Sequence, residues 1–189
     1  MANVLTAVRV VLIVPFVLFT LRVDAWSAAI AALVLASAIV TDLLDGPLAR
    51  RRGTATALSG LFDHTADCLF VTSGLAAAAA RGAVPWLLPP LVALAFAQYV
   101  ADSYWGHGGR RLRTSALGRW NGLLYFAPLV GDVLVRLGLG ALAPVVTWLA
   151  WLLVASTLIS MAERLRALRW ARRTARGSPA AGRGVRPPR

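Results

Sequence analysis

The chain of 189 residues is 58% hydrophobic, carries a net charge of +12 and holds one cysteine. Its mean hydropathy of +0.67 exceeds that of an ordinary soluble domain and leaves no length for a separate soluble unit. The lone Cys68 excludes an internal disulfide and a thiol metal site. The arginines flank apolar runs instead of forming a soluble basic face, which excludes nucleic acid as the partner.

The first stretch, "MANVLTAVRVVLIVPFVLF", has too short a polar lead for a cleaved signal and no small-residue cleavage site, so it reads as a retained first helix. A membrane span needs roughly 20 apolar residues. Six stretches fit: 4–21, 25–44, 60–80, 84–104, 117–135 and 142–162. Pro15 is tolerable within the first, because neighbouring helices can satisfy the freed carbonyl. Polar or Gly/Pro-containing breakers separate the spans, as at Leu21–Asp24, Arg81–Pro85, His107–Ser115 and Arg136–Pro144.

All 20 basic residues are arginine, as a GC-rich coding bias would produce. Alternating sides puts Arg9, Arg50, Arg51, Arg52, Arg110, Arg111, Arg113, Arg119 and every arginine from Arg164 onward on one face. Only Arg22, Arg81 and Arg136 fall on the other. The positive-inside rule makes the crowded face cytoplasmic. The expectation is therefore an all-α, polytopic membrane protein with six transmembrane helices and both termini cytoplasmic. Residues 1–163 form the membrane domain. The basic tail, 164–189, begins as a helix continuation, ends disordered and meets anionic membrane lipids. Most tryptophans lie near span ends, where amphipathic rings favour the interface.

Four of the eight acidic residues lie between Thr41 and Asp67. Asp42 and Asp45 are three apart, and Asp63 and Asp67 are four apart, spacings that set side chains on one face of a helix. Gly46 and Pro47 are read as the break between the two helices. Two antiparallel neighbours can then aim four carboxylates at one point. Clustered anions repel unless something positive sits between them. Hard divalent cations, Mg²⁺ or Mn²⁺, suit oxygen ligands, and two such ions could clamp a phosphoryl group. Helix capping is the plainer alternative: it serves Asp63 and Asp67 at a helix start, but not Asp42 and Asp45 at a helix end.

The run "DLLDGPLAR" from Asp42, eight residues, then "SGLFDHTAD" to Asp67 resembles the D-x2-D-G-x2-A-R-x8-G-x3-D-x3-D signature of the CDP-alcohol phosphatidyltransferases. One position departs: Ser59 stands where the pattern has its second Gly. His64 and Cys68 also depart from the "DPxADK" run of the phosphatidylglycerophosphate synthases, and His64 reads as a polar interface residue, not a ligand. The opening helix, with Asn3, Thr6, Arg9, Leu12 and Pro15, is similar to that of phosphatidylglycerophosphate and cardiolipin synthases of the family.

The resemblance implies a homodimeric enzyme of a bacterial plasma membrane, its site opening to the cytoplasmic face. It would transfer a phosphatidyl group from CDP-diacylglycerol to an alcohol, releasing CMP. Asp42, Asp45 and Asp63 would hold metal on the donor pyrophosphate, and Asp67 would complete the second ion's shell and act as general base. Gly46, Ala49, Thr56 and Ser59 would line the nucleotide, with Arg50 supporting phosphate. Arg110, Arg111, Arg113, Ser115 and Arg119 could bind an acceptor phosphate. Glycerol 3-phosphate is the preferred acceptor, with inositol phosphate and phosphatidylglycerol as alternatives. A non-catalytic membrane protein and an ion-coupled transporter are the rival classes; a transporter would more usually place such carboxylates at the bilayer midplane, often with internal repeats.

Overall fold

In the computed structural model the described residues are 2–51, 57–105 and 116–177, with side chains described for 6–43, 61–101 and 120–167. Among the described residues seven α-helices follow in chain order: α1 (Ala2–Thr20), α2 (Ala25–Arg51), α3 (Ala57–Ala80), α4 (Leu88–Trp105), α5 (Ala116–Leu124), α6 (Phe126–Arg136) and α7 (Ala143–Gly177). A short 3-10 turn at Gly140–Leu142 precedes α7. No strand occurs among the described residues. The all-α expectation is met.

Local chemistry explains several helix ends. Asp24 stands just before α2, and its carboxylate accepts the Ser27 amide at 2.8 Å, an N-cap bond. That bond holds its carboxyl below the usual range. At the end of α3, Gly82 takes φ +77, while its amide bonds Ala79 O and the Ala83 amide reaches back to Ala78 O. The same pair of reverse bonds closes α6 around Gly138, with φ +112. Both are Schellman stops, in which glycine accepts a left-handed backbone without steric cost.

Three features differ from the sequence expectation. Helix α2 does not stop at Gly46–Pro47 but runs to Arg51. A proline costs a helix its own N–H bond and crowds one carbonyl, a disruption that packed membrane helices tolerate. Because α3 begins at Ala57, Asp63 lies beyond its first turn, so capping explains neither carboxylate of α3. The fifth stretch is two helices, parted at Tyr125. Pro128 has no N–H to offer the Leu124 carbonyl, and its ring crowds that carbonyl, so the ladder parts there.

Helix α7 is 35 residues long, about 52 Å at 1.5 Å per residue, well beyond a hydrocarbon core of about 30 Å. Two described stretches, 25–43 and 140–167, are long and apolar enough to cross a membrane, and shorter apolar stretches occupy 6–20 and 88–101.

Helix α1 packs against both α2 and α3, α3 also meets α4 and α6, and α7 lies against α4, α5 and α6. The core they enclose includes Phe16, Phe70, Leu75, Leu88, Leu129 and Leu153. Phe16 stacks on Phe70 with ring centroids 4.7 Å apart. This approach requires a bare Gly74, since any Cβ there would collide with the Phe16 ring.

At the end of the bundle where α1, α3 and α6 terminate, Asp132 is 4% exposed. Arg81 Nη2 donates to both its oxygens, at 2.6 and 2.5 Å, and Arg136 Nε lies 3.4 Å from Oδ2. Arg136 Nη1 also donates to Phe19 O and Arg22 O, each at 2.9 Å. Arg81 and Arg136 are thus both engaged by one buried carboxylate.

Candidate active site

The carboxylates gather at the opposite end of α1 and α3. Arg9, near the start of α1, is 1% exposed. Its Nη1 donates to Asp63 Oδ1 at 2.9 Å and also to Asp67 Oδ1, while Nη2 reaches Asp42 Oδ1 at 3.2 Å. One guanidinium therefore joins three helices. The spacing of four on α3 turns Asp63 and Asp67 to the same side, as expected for helical neighbours. Close packing of α1 on α2 and α3 sets the arginine between them.

Ligand atoms of Asp63, His64 and Asp67 lie within 4.8 Å of one another. Two oxygens on one Mg²⁺ are at most about 4.2 Å apart at bond lengths near 2.1 Å. Adjacent ligand atoms on one such ion stand only about 3.0 Å apart, so the group would have to draw together to share it. The Asp63 and Asp67 carboxylates of that group offer hard oxygen and already hold a positive charge, so they fit a divalent cation. His64 is exposed, its ring 6.4 Å from that of Tyr99.

A cavity of about 480 Å³ opens beside the cluster, with Asp42, His64 and Asp67 in its wall. Its other sides come from α3, α4, α7 and the α5–α6 junction. Most of the lining is apolar, including Val71, Val92, Phe96 and Phe126. A few polar groups interrupt it. Tyr125 and Thr157 hydroxyls lie 2.7 Å apart. Asn121 Oδ1 accepts from Ser156 at 3.0 Å, leaving its buried Nδ2 without a partner. Gln98 Nε2 donates to Met161 O at 3.3 Å, and its Oε1 is likewise buried and unpaired. Arg164 stands over the Tyr99 ring at 5.5 Å. An apolar cavity with a few convergent polar atoms is the usual form of a small-molecule site.

A model of the family described as CDP-alcohol phosphatidyltransferase matches residues 1–159. The chain belongs to that family. It is 33% identical over 101 residues to a "Probable phosphatidylglycerophosphate synthase" of Mycobacterium tuberculosis, covering 49% of this chain and 46% of that protein. It is 33% identical over 118 residues to a "CDP-diacylglycerol--glycerol-3-phosphate 3-phosphatidyltransferase" of Pseudomonas fluorescens, covering 62% and 54%. The chain thus spans about half the length of the curated relatives it matches. No solved structure matches it.

In this CDP-alcohol phosphatidyltransferase, then, Asp42, Asp63 and Asp67 of the expected quartet converge on one centre. Asp45 lies three residues on from Asp42 in α2, and its side chain falls outside the described residues, as do those of Gly46, Ala49, Arg50, Thr56 and Ser59. Of the suggested acceptor residues, Arg110, Arg111, Arg113 and Ser115 fall outside them too, as does the side chain of Arg119. Arg9, Gln98, Asn121 and Arg164 were not singled out as site residues from sequence. Arg9 and Gln98 are each an isolated polar side chain within an apolar run, a weak local signal that does not say which distant residues they meet.

Proposed function

We propose that the protein transfers the phosphatidyl group of CDP-diacylglycerol to a small alcohol, with glycerol 3-phosphate preferred, and releases CMP. The observation that carries this reading is the convergence of Asp42, Asp63 and Asp67 on one cationic centre beside the cavity. The family match and the names of the two relatives support the donor class and the preferred acceptor. The wider reading has six spans, cytoplasmic termini, a bacterial plasma-membrane location and a homodimer. The strongly one-sided distribution of arginine supports its orientation.

In this reading Asp42, Asp45, Asp63 and Asp67 would hold two divalent ions, which would supply positive charge to the donor pyrophosphate and the leaving CMP. Gly46, Ala49, Arg50, Thr56 and Ser59 line the nucleotide. Asp67 accepts the proton of the acceptor hydroxyl as its oxygen bonds to the phosphatidyl phosphorus. The bond from that phosphorus to the CMP oxygen breaks, and CMP leaves with the electron pair. The largely apolar wall keeps bulk water from competing for the phosphorus.

The acceptor's remaining hydroxyls take the cavity, where Asn121 Nδ2 and Gln98 Oε1 supply an unused donor and acceptor. Its phosphate meets Arg164 together with the arginines of 110–119. Asn121→Ala is expected to raise the KM for the acceptor about tenfold, the worth of a lost hydrogen bond to a buried polar group, while the KM for the CDP donor holds. A matching rise in both would remove Asn121 from the acceptor site.

The function is tested with purified protein, CDP-diacylglycerol, Mg²⁺ and an acceptor panel of glycerol 3-phosphate, inositol phosphate and phosphatidylglycerol, with lipid products weighed by mass spectrometry. CMP release with phosphatidylglycerophosphate as product is expected, and its loss in excess chelator. Undiminished release in chelator would end the metal reading, and product from inositol phosphate alone would reassign the acceptor.

A further inference from the structure

Arg9 occupies the place a ligand would need. Its Nη1 takes Oδ1 of both Asp63 and Asp67, and Nη2 takes Oδ1 of Asp42. An ion shared by Asp63 and Asp67 would stand close to where Nη1 stands. Guanidinium cannot lose its proton in a protein, so its charge cannot be neutralised on the spot. Two cations competing for the same oxygens repel one another.

We propose that Arg9 is a resident counter-cation that competes with divalent metal for the carboxylate centre. It holds Asp42, Asp63 and Asp67 together while no metal is bound and withdraws when metal enters. This rests on the metal reading of the site.

The opposite role, a fixed scaffold that keeps the ligands in register, predicts the opposite effect on metal affinity. If Arg9 competes, removing its charge tightens metal binding. If Arg9 merely organises the ligands, removing it weakens binding. The metal-free protein should lose stability in either case, because three carboxylates are left to repel one another.

Mn²⁺ binding to the full chain in detergent, without any CDP donor, distinguishes these roles. Free Mn²⁺ is read by electron paramagnetic resonance, and thermal unfolding is followed with and without the ion. Arg9→Gln is expected to lower the Tm of the metal-free protein. It should lower the Kd for Mn²⁺ at least about tenfold, a difference of about 1.4 kcal/mol, and enlarge the Tm rise that Mn²⁺ produces. Arg9→Lys keeps the charge but loses the fork, and should tighten binding by less. An unchanged or raised Kd in Arg9→Gln, with the wild type binding Mn²⁺ normally, overturns the proposal and leaves the metal site standing. Absence of Mn²⁺ binding by both proteins overturns the metal reading and the proposal together. Should Arg9→Gln not fold, Arg9→Lys decides by the same measure: tighter binding supports competition, while unchanged or weaker binding overturns it.

Discussion

Asp67→Asn is expected to lower kcat by about 10²- to 10⁴-fold, the usual contribution of general-base assistance. The amide keeps the size of the side chain and much of its hydrogen bonding, and removes charge and basicity. Arg9 retains Asp42 and Asp63 as partners, so the variant should fold and still bind the CDP donor. Because Asp67 is also a proposed ligand, kcat must be measured across a Mg²⁺ titration. Recovery at high Mg²⁺ assigns the loss to ligation, and persistence at saturation assigns it to the base. Turnover near that of the wild type would take both roles from Asp67.

Asp132→Ala should be the most destabilising change at the far end of the bundle. The carboxylate is 4% exposed and faces Arg81 and Arg136, whose side chains are 13% and 5% exposed. Removing one member of a buried ion pair leaves uncompensated charge and costs about 3–5 kcal/mol. Here two guanidinium groups would be left facing each other. The expected result is a large fall in Tm in detergent, with the donor KM of the surviving folded protein unaltered. Replacing Arg81 and Asp132 together should recover part of the loss, since the double variant buries one charge fewer. A Tm within a degree or two of wild type for Asp132→Ala would mean that water or lipid head groups already neutralise this cluster.

Charge spacing made much of the site legible. Asp63 and Asp67 could be paired before any fold was known, because an i, i+4 relation survives whatever the helix packs against, and Asp42 joined them through the expectation of antiparallel neighbouring helices. Arg9 escaped for the converse reason: its partners lie 33, 54 and 58 residues away, and a lone arginine in a first helix looks the same whether it anchors a membrane face or is buried. Gly46–Pro47 suggested a break through local propensity, yet α2 continues, since packing can offset a single missing N–H. At Pro128 the same residue type does part the ladder. The difference lies in tertiary context, which propensity does not record. Gln98 and Asn121 belong with Arg9: their unused atoms become meaningful only when helices distant in sequence enclose one cavity.

Helix α1 is held by arginines near both ends, its own Arg9 at one and Arg136 of α6 at the other, with Phe16 wedged on Phe70 between them. From Arg9 to Phe19 is about 15 Å along the axis. Mechanically it resembles a beam clamped at the far end and gripped in mid-span. If Arg9 lets go, the clamp at Phe19 and Arg22 and the ring stack remain, so the rod has no freedom to slide or tilt. The release must then be absorbed by rotation about the bonds of one side chain. Such a movement needs no rearrangement of the bundle and leaves the cavity walls where they were.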